Sequence, residues 1–347
     1  ELLSINKIIN SYKQISNQDN VNSEEKDFFD IDVNSLIHLS NSKDILDKKA
    51  KLIDFIWKEK GFPITYPSSI EENVDDLRYN RLNNLEKINK ITISMENNVN
   101  STAYLFLAQQ SNNKLVIYHE GHIGDFYNGI NTIQFFLDHG YSVLAFSMPL
   151  LGMNSQPQVD IYNFGKIKLV SHDQFPLLES QQFSPMKYFV EPISISLNYL
   201  DKNYDFDSYS MIGLSGGGWA AILYAAIDDR VSQTYSVAGS LPFHLRYTQS
   251  DVGDYEQNLP QLYTIANYLE LYILDSFGDE RKLIQIFNIY DPCCFAGKLS
   301  KSYEKVIQTK LTELKKGTFE IYLDDTHKEH KISANALKII INHMQQL

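Results

Sequence analysis

At 347 residues, with 43% hydrophobic and 21% charged residues, the chain is long enough to bury a sizeable core and has the composition of a globular protein. A formal net charge of −12 argues against a nucleic-acid backbone or an anionic membrane surface as its partner. No apolar stretch approaches the length needed to cross a bilayer, and no positively charged leader precedes an apolar segment. The chain begins at Glu1, not Met, as it would after removal of a leader or anchor, and the compartment stays open.

The first 87 residues are rich in Asn, Lys, Asp and Ser and read as an N-terminal helical extension. Helical pieces are expected over Leu2–Ile15 and Ile45–Lys60, with a polar loop over Ser16–Glu25 between them. From Ile88 to Leu347 the pattern alternates. Strands are expected over Ile91–Met95, Ala103–Ala108, Leu115–His119, Ser142–Phe146, Ser208–Ile212, Thr234–Val237, Leu283–Tyr290 and Thr318–Leu323. Helices are expected over Gly129–His139, Pro185–Asn203, Gly216–Asp228, Lys301–Lys315 and Ser333–Gln346. This order predicts an α/β domain with a mostly parallel central sheet flanked by helices. Two insertions interrupt it, near residues 149–184 and 239–282, the second with a helical piece near Leu262–Leu274. Long insertions at the mouth of such a sheet form lids or caps. The two cysteines are adjacent, Cys293 and Cys294; two buried thiols are the expectation, with a vicinal disulfide as the alternative.

The run Gly213-Leu214-Ser215-Gly216-Gly217 matches G-x-S-x-G between an apolar strand and an Ala-rich helix. That turn lifts a serine hydroxyl out of the sheet. A hydroxyl is a weak nucleophile and needs a base, which an acid must orient. Asp291 follows the penultimate strand directly, at the carboxyl end where open α/β sheets bind ligands. After the last strand, His330 precedes a helix that Ser333 would cap, and His327 is the alternative base. Oxyanion donors are expected from the backbone N–H of Gly216 and of His122, the latter following Gly121 after the third strand of the alternating region. His119, Glu120 and His122 lack the i, i+4 helical spacing of a metal motif, so no metal or other cofactor is expected.

The set resembles the α/β-hydrolase superfamily over roughly residues 88–347. The resemblance is carried by Gly213-x-Ser215-x-Gly217, Asp291, His330, His119-Glu120-Gly121-His122 and the turn Pro149-Leu150-Leu151-Gly152-Met153-Asn154-Ser155. The oxyanion loop departs from the commoner His-Gly-Gly form by placing Glu120 between histidine and glycine. The resemblance implies a serine hydrolase that cleaves a carboxylic ester through an acyl-enzyme. A small or carbohydrate-borne acyl ester is the expected substrate, with Tyr162, Phe164, Phe175, Tyr247, Tyr255 and Tyr263 as candidate sugar-flanking rings. The alternatives are a peptidase of the same fold, with Asp254, Glu256 and Arg246 as conceivable terminus anchors, and a non-catalytic binding protein.

Overall fold

A computed structural model describes residues 31–58, 60–249 and 252–345. The expectations for Leu2–Ile15 and Ser16–Glu25 lie outside the described residues. In chain order the elements begin with α1 (Ser42–Trp57), β1 (Ser69–Glu71), β2 (Leu85–Ile93), β3 (Ser101–Ala108), β4 (Lys114–His119), α2 (Ile130–Asp138) and β5 (Ser142–Phe146). The hairpin β6 (Gln158–Ile161) and β7 (Gly165–Lys168) precedes α3 (Lys187–Asn203), β8 (Ser208–Leu214), α4 (Gly216–Ile227) and β9 (Val231–Val237). Then come α5 (Tyr255–Asn258), α6 (Pro260–Tyr263), α7 (Tyr268–Ser276), β10 (Lys282–Asn288), α8 (Lys301–Leu314), β11 (Thr318–Asp324) and α9 (Ala334–Met344).

Nine strands form one sheet in the order β1-β2-β3-β5-β4-β8-β9-β10-β11. The pairs β1/β2, β2/β3 and β3/β5 are antiparallel, and the pairs from β5 through β11 are parallel. The parallel strands are buried on both faces, and alternate side chains of β4 divide between two cores. Leu115 and Ile117 join the core that holds α1, α3, α4, α7 and α8, while Val116 and Tyr118 join the one under α2 and α9. Helix α4 is buried along its whole length, as its Ala-rich, uncharged sequence dictates.

Residues 42–57 pack against the sheet's covering helices. Asn41 and Asp44 form a capping box that starts α1, and Ile45, Leu52, Ile56 and Trp57 are buried in the larger core. The division expected at residues 87 and 88 falls inside β2, and β1 adds an edge strand ahead of it. The first insertion carries the exposed β6–β7 hairpin. The second divides: Asp254 and Glu256 meet the loop after β4 at His122, whereas α7 is wholly buried and packs on α4 as a covering helix. Its polar positions are few, and Glu270, Asp275 and Ser276 are buried with its apolar ones.

Candidate functional site

Ser215 stands between β8 and α4 at φ 55°, ψ −126°. Holding a non-glycine residue there costs on the order of 1–3 kcal/mol, and the surrounding structure must over-determine it. Two backbone hydrogen bonds do so: Ser215 N–H donates to the Val237 carbonyl at 2.8 Å, and its own carbonyl accepts Trp219 N–H at 3.0 Å. Gly217 is obligatory for packing, because a Cβ there would sit 2.1 Å from the His119 carbonyl oxygen. Gly216 opens α4, so its N–H belongs to the unpaired first turn of the helix.

Asp291 and His330 meet at the same edge of the sheet. Asn288 ends β10 and Asp291 follows it, with Oδ1 accepting the N–H groups of Cys293 and Cys294 at 2.9 and 3.2 Å. The other oxygen, Oδ2, lies 2.8 Å from His330 Nδ1. Burial opposes the charge on Asp291, but the His330 hydrogen bond and charge, with the two amides, outweigh it and hold the carboxyl below its usual range. His330 itself is nearly buried and sits just ahead of α9, where Ser333 accepts the Ala336 N–H as N-cap and hydrogen-bonds to Asp324. His327 turns the other way, toward Asp324 Oδ2 at 3.4 Å and Asn288 Nδ2 at 3.4 Å. Its side chain is buried in this local pair, not solvated. The cysteines correct the expectation of two thiols: they form a vicinal disulfide beside His330. The turn that aims both cysteine N–H groups at Asp291 Oδ1 also brings the two sulfur atoms together.

The loop after β4 passes directly against Ser215. A Cβ on Gly121 would lie 2.8 Å from Ser215 Cβ, and one on Gly216 would lie 2.4 Å from His122 Cε1. Thus the His122 ring covers Gly216, and the Gly121 backbone lies beside the serine. Glu120, the departure from the His-Gly-Gly form, braces this loop from within. Its Oε1 accepts the Gly121 N–H and its Oε2 the Tyr118 hydroxyl, both at 2.8 Å. Burial pushes its carboxyl up, partly offset by those bonds and by the charge of nearby His330. His119 is buried, which pushes it down to about 4. Neither His119 nor Glu120 joins a cluster with metal-ligand spacing among the described residues. The turn Pro149–Ser155 packs behind: Asn154 accepts the Thr102 N–H at 2.8 Å, and Ser155 accepts the Asn100 N–H at 2.6 Å.

A second group of side chains, not visible in linear spacing, adjoins the loop. His122 Nε2 lies 2.9 Å from Asp254 Oδ2, 3.0 Å from Glu256 Oε1 and 3.2 Å from His172 Nδ1. Burial disfavours a charge on His122, but Asp254 and Glu256 overcome it and push the ring up to about 10. Glu256 is fully buried, yet the two imidazoles hold it down at about 2. Glu256 and Arg246 are therefore engaged inside the protein and do not stand free as anchors; Arg246 Nε donates to the Leu241 carbonyl at 2.7 Å. The candidate sugar-flanking rings also divide. Phe175, Tyr255 and Tyr263 are buried, with the Tyr263 hydroxyl accepting from Trp219 Nε1 at 2.7 Å and donating to the Glu256 carbonyl at 2.8 Å. Tyr162 and Phe164 are exposed on the β6–β7 hairpin.

No protein-family model matches the chain, and no curated protein sequence does so either. Solved structures do. An acetyl xylan esterase from Paenibacillus sp. R4 superposes with a TM-score of 0.58 at 15% identity, covering 90% of this chain and 98% of that one. Acetyl xylan esterase 1 from Thermoanaerobacterium sp. JW/SL YS485 gives 0.57 at 12% identity, covering 88% and 93%. The esterase Pf2001 of Pyrococcus furiosus gives 0.53 at 17% identity, covering 82% and 99%. At these identities the likeness establishes architecture alone, and the nine-stranded, mostly parallel sheet with its flanking helices matches it. The chain has the α/β-hydrolase fold.

Proposed function

We propose that the protein is a serine hydrolase that cleaves a carboxylic ester through an acyl-enzyme. The observation that carries this reading is the strained Ser215 turn at the same sheet edge as an Asp291–His330 pair held at 2.8 Å. In the proposed cycle Ser215 Oγ attacks the ester carbonyl and His330 Nε2 takes its proton. Asp291 receives the Nδ1–H of His330, fixes its tautomer and supports the imidazolium. The N–H groups of Gly216 and His122 face the oxygen on which negative charge develops. His330 then returns the proton to the departing alcohol, and a water molecule, activated the same way, releases the acid and frees Ser215.

A small acyl group, or one borne on a carbohydrate, is the proposed substrate class. The acetyl xylan esterases of like fold support it, as does a methylesterase, BT1017, which superposes with a TM-score of 0.57 at 11% identity. The peptidase alternative loses support, because Glu256 and Arg246 are buried and paired, and Asp254, though partly exposed, faces His122 Nε2 at 2.9 Å. A fluorophosphonate probe followed by peptide mapping tests the serine. Labelling confined to Ser215 and lost with Ser215→Ala is expected, and an unlabelled wild-type protein would overturn the hydrolase reading. A panel of acetyl, methyl and longer acyl esters against aminoacyl amides then tests the class. Turnover of amides in preference to short esters would overturn the esterase reading.

A further inference from the structure

The cluster of His122, His172, Asp254 and Glu256 joins three segments far apart in the chain. His122 is on the loop after β4, His172 begins the helical turn His172–Leu178 of the first insertion, and Asp254 and Glu256 lie at the start of α5 in the second. One donor atom from each of the four lies within 4.8 Å of the rest. Most of the near pairs are tighter: His122 Nε2 to Asp254 Oδ2 at 2.9 Å, to Glu256 Oε1 at 3.0 Å and to His172 Nδ1 at 3.2 Å, and His172 Nδ1 to Glu256 Oε2 at 3.2 Å. Four ligands at about 2.0–2.1 Å around a tetrahedral zinc ion stand about 3.3–3.4 Å apart. The four close approaches are slightly shorter than that spacing, and the whole set lies within 4.8 Å, so small movements of the ligands would reach it.

Hydrogen bonds alone leave it unbalanced. His172 Nε2 lies 2.8 Å from the Pro149 carbonyl, which can only accept, so Nε2 carries a proton. Nδ1 faces Glu256 Oε2 and His122 Nε2, both at 3.2 Å, and is the nitrogen that a metal ion would take. An imidazole whose far nitrogen donates to a backbone carbonyl is the arrangement found behind metal-ligating histidines. His122 Nε2 can carry one proton, yet three groups approach it. Glu256 Oε1 is buried and meets no donor in hydrogen-bonding geometry among the described residues, although it lies 3.0 Å from His122 Nε2. A buried carboxylate oxygen without a hydrogen-bond donor, aimed into a cluster of two imidazoles and a second carboxylate, is an atom that a metal ion would engage directly.

We infer that these four side chains bind a divalent transition metal of the zinc class, with a small outward adjustment of the ligands. Two imidazoles and two carboxylates suit zinc and its neighbours over calcium or magnesium, which take oxygen ligands. The metal would displace the ring proton of His122 and fasten the loop beside Ser215 to both insertions. Its role is positional: the His122 ring covers Gly216, and the metal would hold that ring through Nε2. The site does not depend on the hydrolase reading, since it is read by binding.

The test starts with full-length protein stripped by chelator and titrated calorimetrically with Zn²⁺, then separately with Co²⁺ followed by visible absorption. One equivalent of Zn²⁺ should bind, and Co²⁺ should give the intense absorption of four-coordinate cobalt, bleached by added Zn²⁺. Asp254→Asn, at a partly exposed position, and His172→Ala should each weaken Zn²⁺ binding by more than the ~10–100-fold that outer-shell changes cost. Absence of a saturable Zn²⁺ equivalent in the wild-type protein, or the weak spectrum of six-coordinate cobalt, would overturn the assignment. So would variants that keep their circular dichroism and bind Zn²⁺ as tightly as the wild type. The wild-type cobalt spectrum decides the matter even if a variant fails to fold.

Discussion

Ser215, Asp291 and His330 make the sharpest residue-level expectations. Ser215→Ala should reduce ester turnover by roughly 10⁴–10⁶-fold while leaving the fold intact, since alanine fits the same turn and the chemistry loses its nucleophile. Substantial residual turnover in the pure variant would remove Ser215 from the mechanism. His330→Ala should lose about as much, because groups that act as a unit do not contribute additively. His327→Ala should lose less than about tenfold. Its ring is taken up by Asp324 and Asn288, so its removal disturbs the loop that carries His330 without removing the base. Equal losses in the two histidine variants, measured side by side on one ester, would reverse the choice between them. These three residues were legible because chemistry dictated their order and strand ends dictated their placement. The choice of His330 over His327 rested on the Ser333 cap, which the structure contains. The roles of His172, Asp254 and Glu256 were hidden: His172 lies 50 residues from His122, and Glu256 lies 84 from His172, so no local spacing connects them. Glu120 was visible as a departure from pattern, but its bonds to Gly121 and Tyr118 follow only from the fold.

At the scale of elements, the parallel strands are legible as continuous apolar runs because both their faces are buried, and the half-buried helices by their period. The edge strand β1 and the β6–β7 hairpin were not legible, since exposed polar strands carry no such signal. Helix α7 is predicted as part of a lid by its position within an insertion, whereas its place depends on burial against α4, which chain order does not encode. That helix yields a pH prediction. Asp275 on α7 is buried against β9, with Oδ1 accepting the Thr234 hydroxyl at 2.8 Å and Oδ2 without a partner among the described residues. Burial pushes its carboxyl up to about 8, although Arg281, Thr234 and Lys49 pull it down. An acid raised in the folded state binds a proton that the unfolded chain has lost, from pH ~4 up to about 8. Stability therefore falls as pH rises through that window and levels off above it, at no more than about 1.4 kcal/mol per pH unit. Asp275→Asn, isosteric and neutral throughout, should remove this slope. The difference in Tm between variant and wild type should be small at pH 4, favour the variant increasingly toward pH 8, and then stay constant. A difference that does not change with pH would mean that Asp275 is ionised throughout that range in the folded protein.

At the scale of the molecule, the open question is whether the N-terminal segment folds as its own unit or with the sheet. The geometry favours one cooperative body. Helix α1 lies against α4, the helix that Ser215 begins, and buries four apolar side chains in their shared core. Burying each side chain of that kind contributes about 1.5–3 kcal/mol, a large share of the stability of any domain. Polar groups fix the same docking: Trp57 Nε1 donates to Glu191 at 2.7 Å, Lys48 to Glu270 at 2.9 Å and Lys49 to Asp229 at 2.6 Å. Without those partners Glu191 and Glu270 would be left as buried carboxylates short of donors. The chain offers a direct measurement, because it has two tryptophans, Trp57 in α1 and Trp219 in α4. In Trp219→Phe the fluorescence reports on α1, and in Trp57→Phe it reports on the helix behind Ser215. Each substitution costs its own indole hydrogen bond, so each variant is compared with its own circular dichroism. In urea, the fluorescence midpoint should coincide with the circular-dichroism midpoint in both variants, as expected when α1 and the sheet unfold together. If α1 belongs to a separate unit, the Trp57 signal will move at lower urea than the circular dichroism, while the Trp219 signal will not. That outcome would return residues 1–87 to the status of an appended domain.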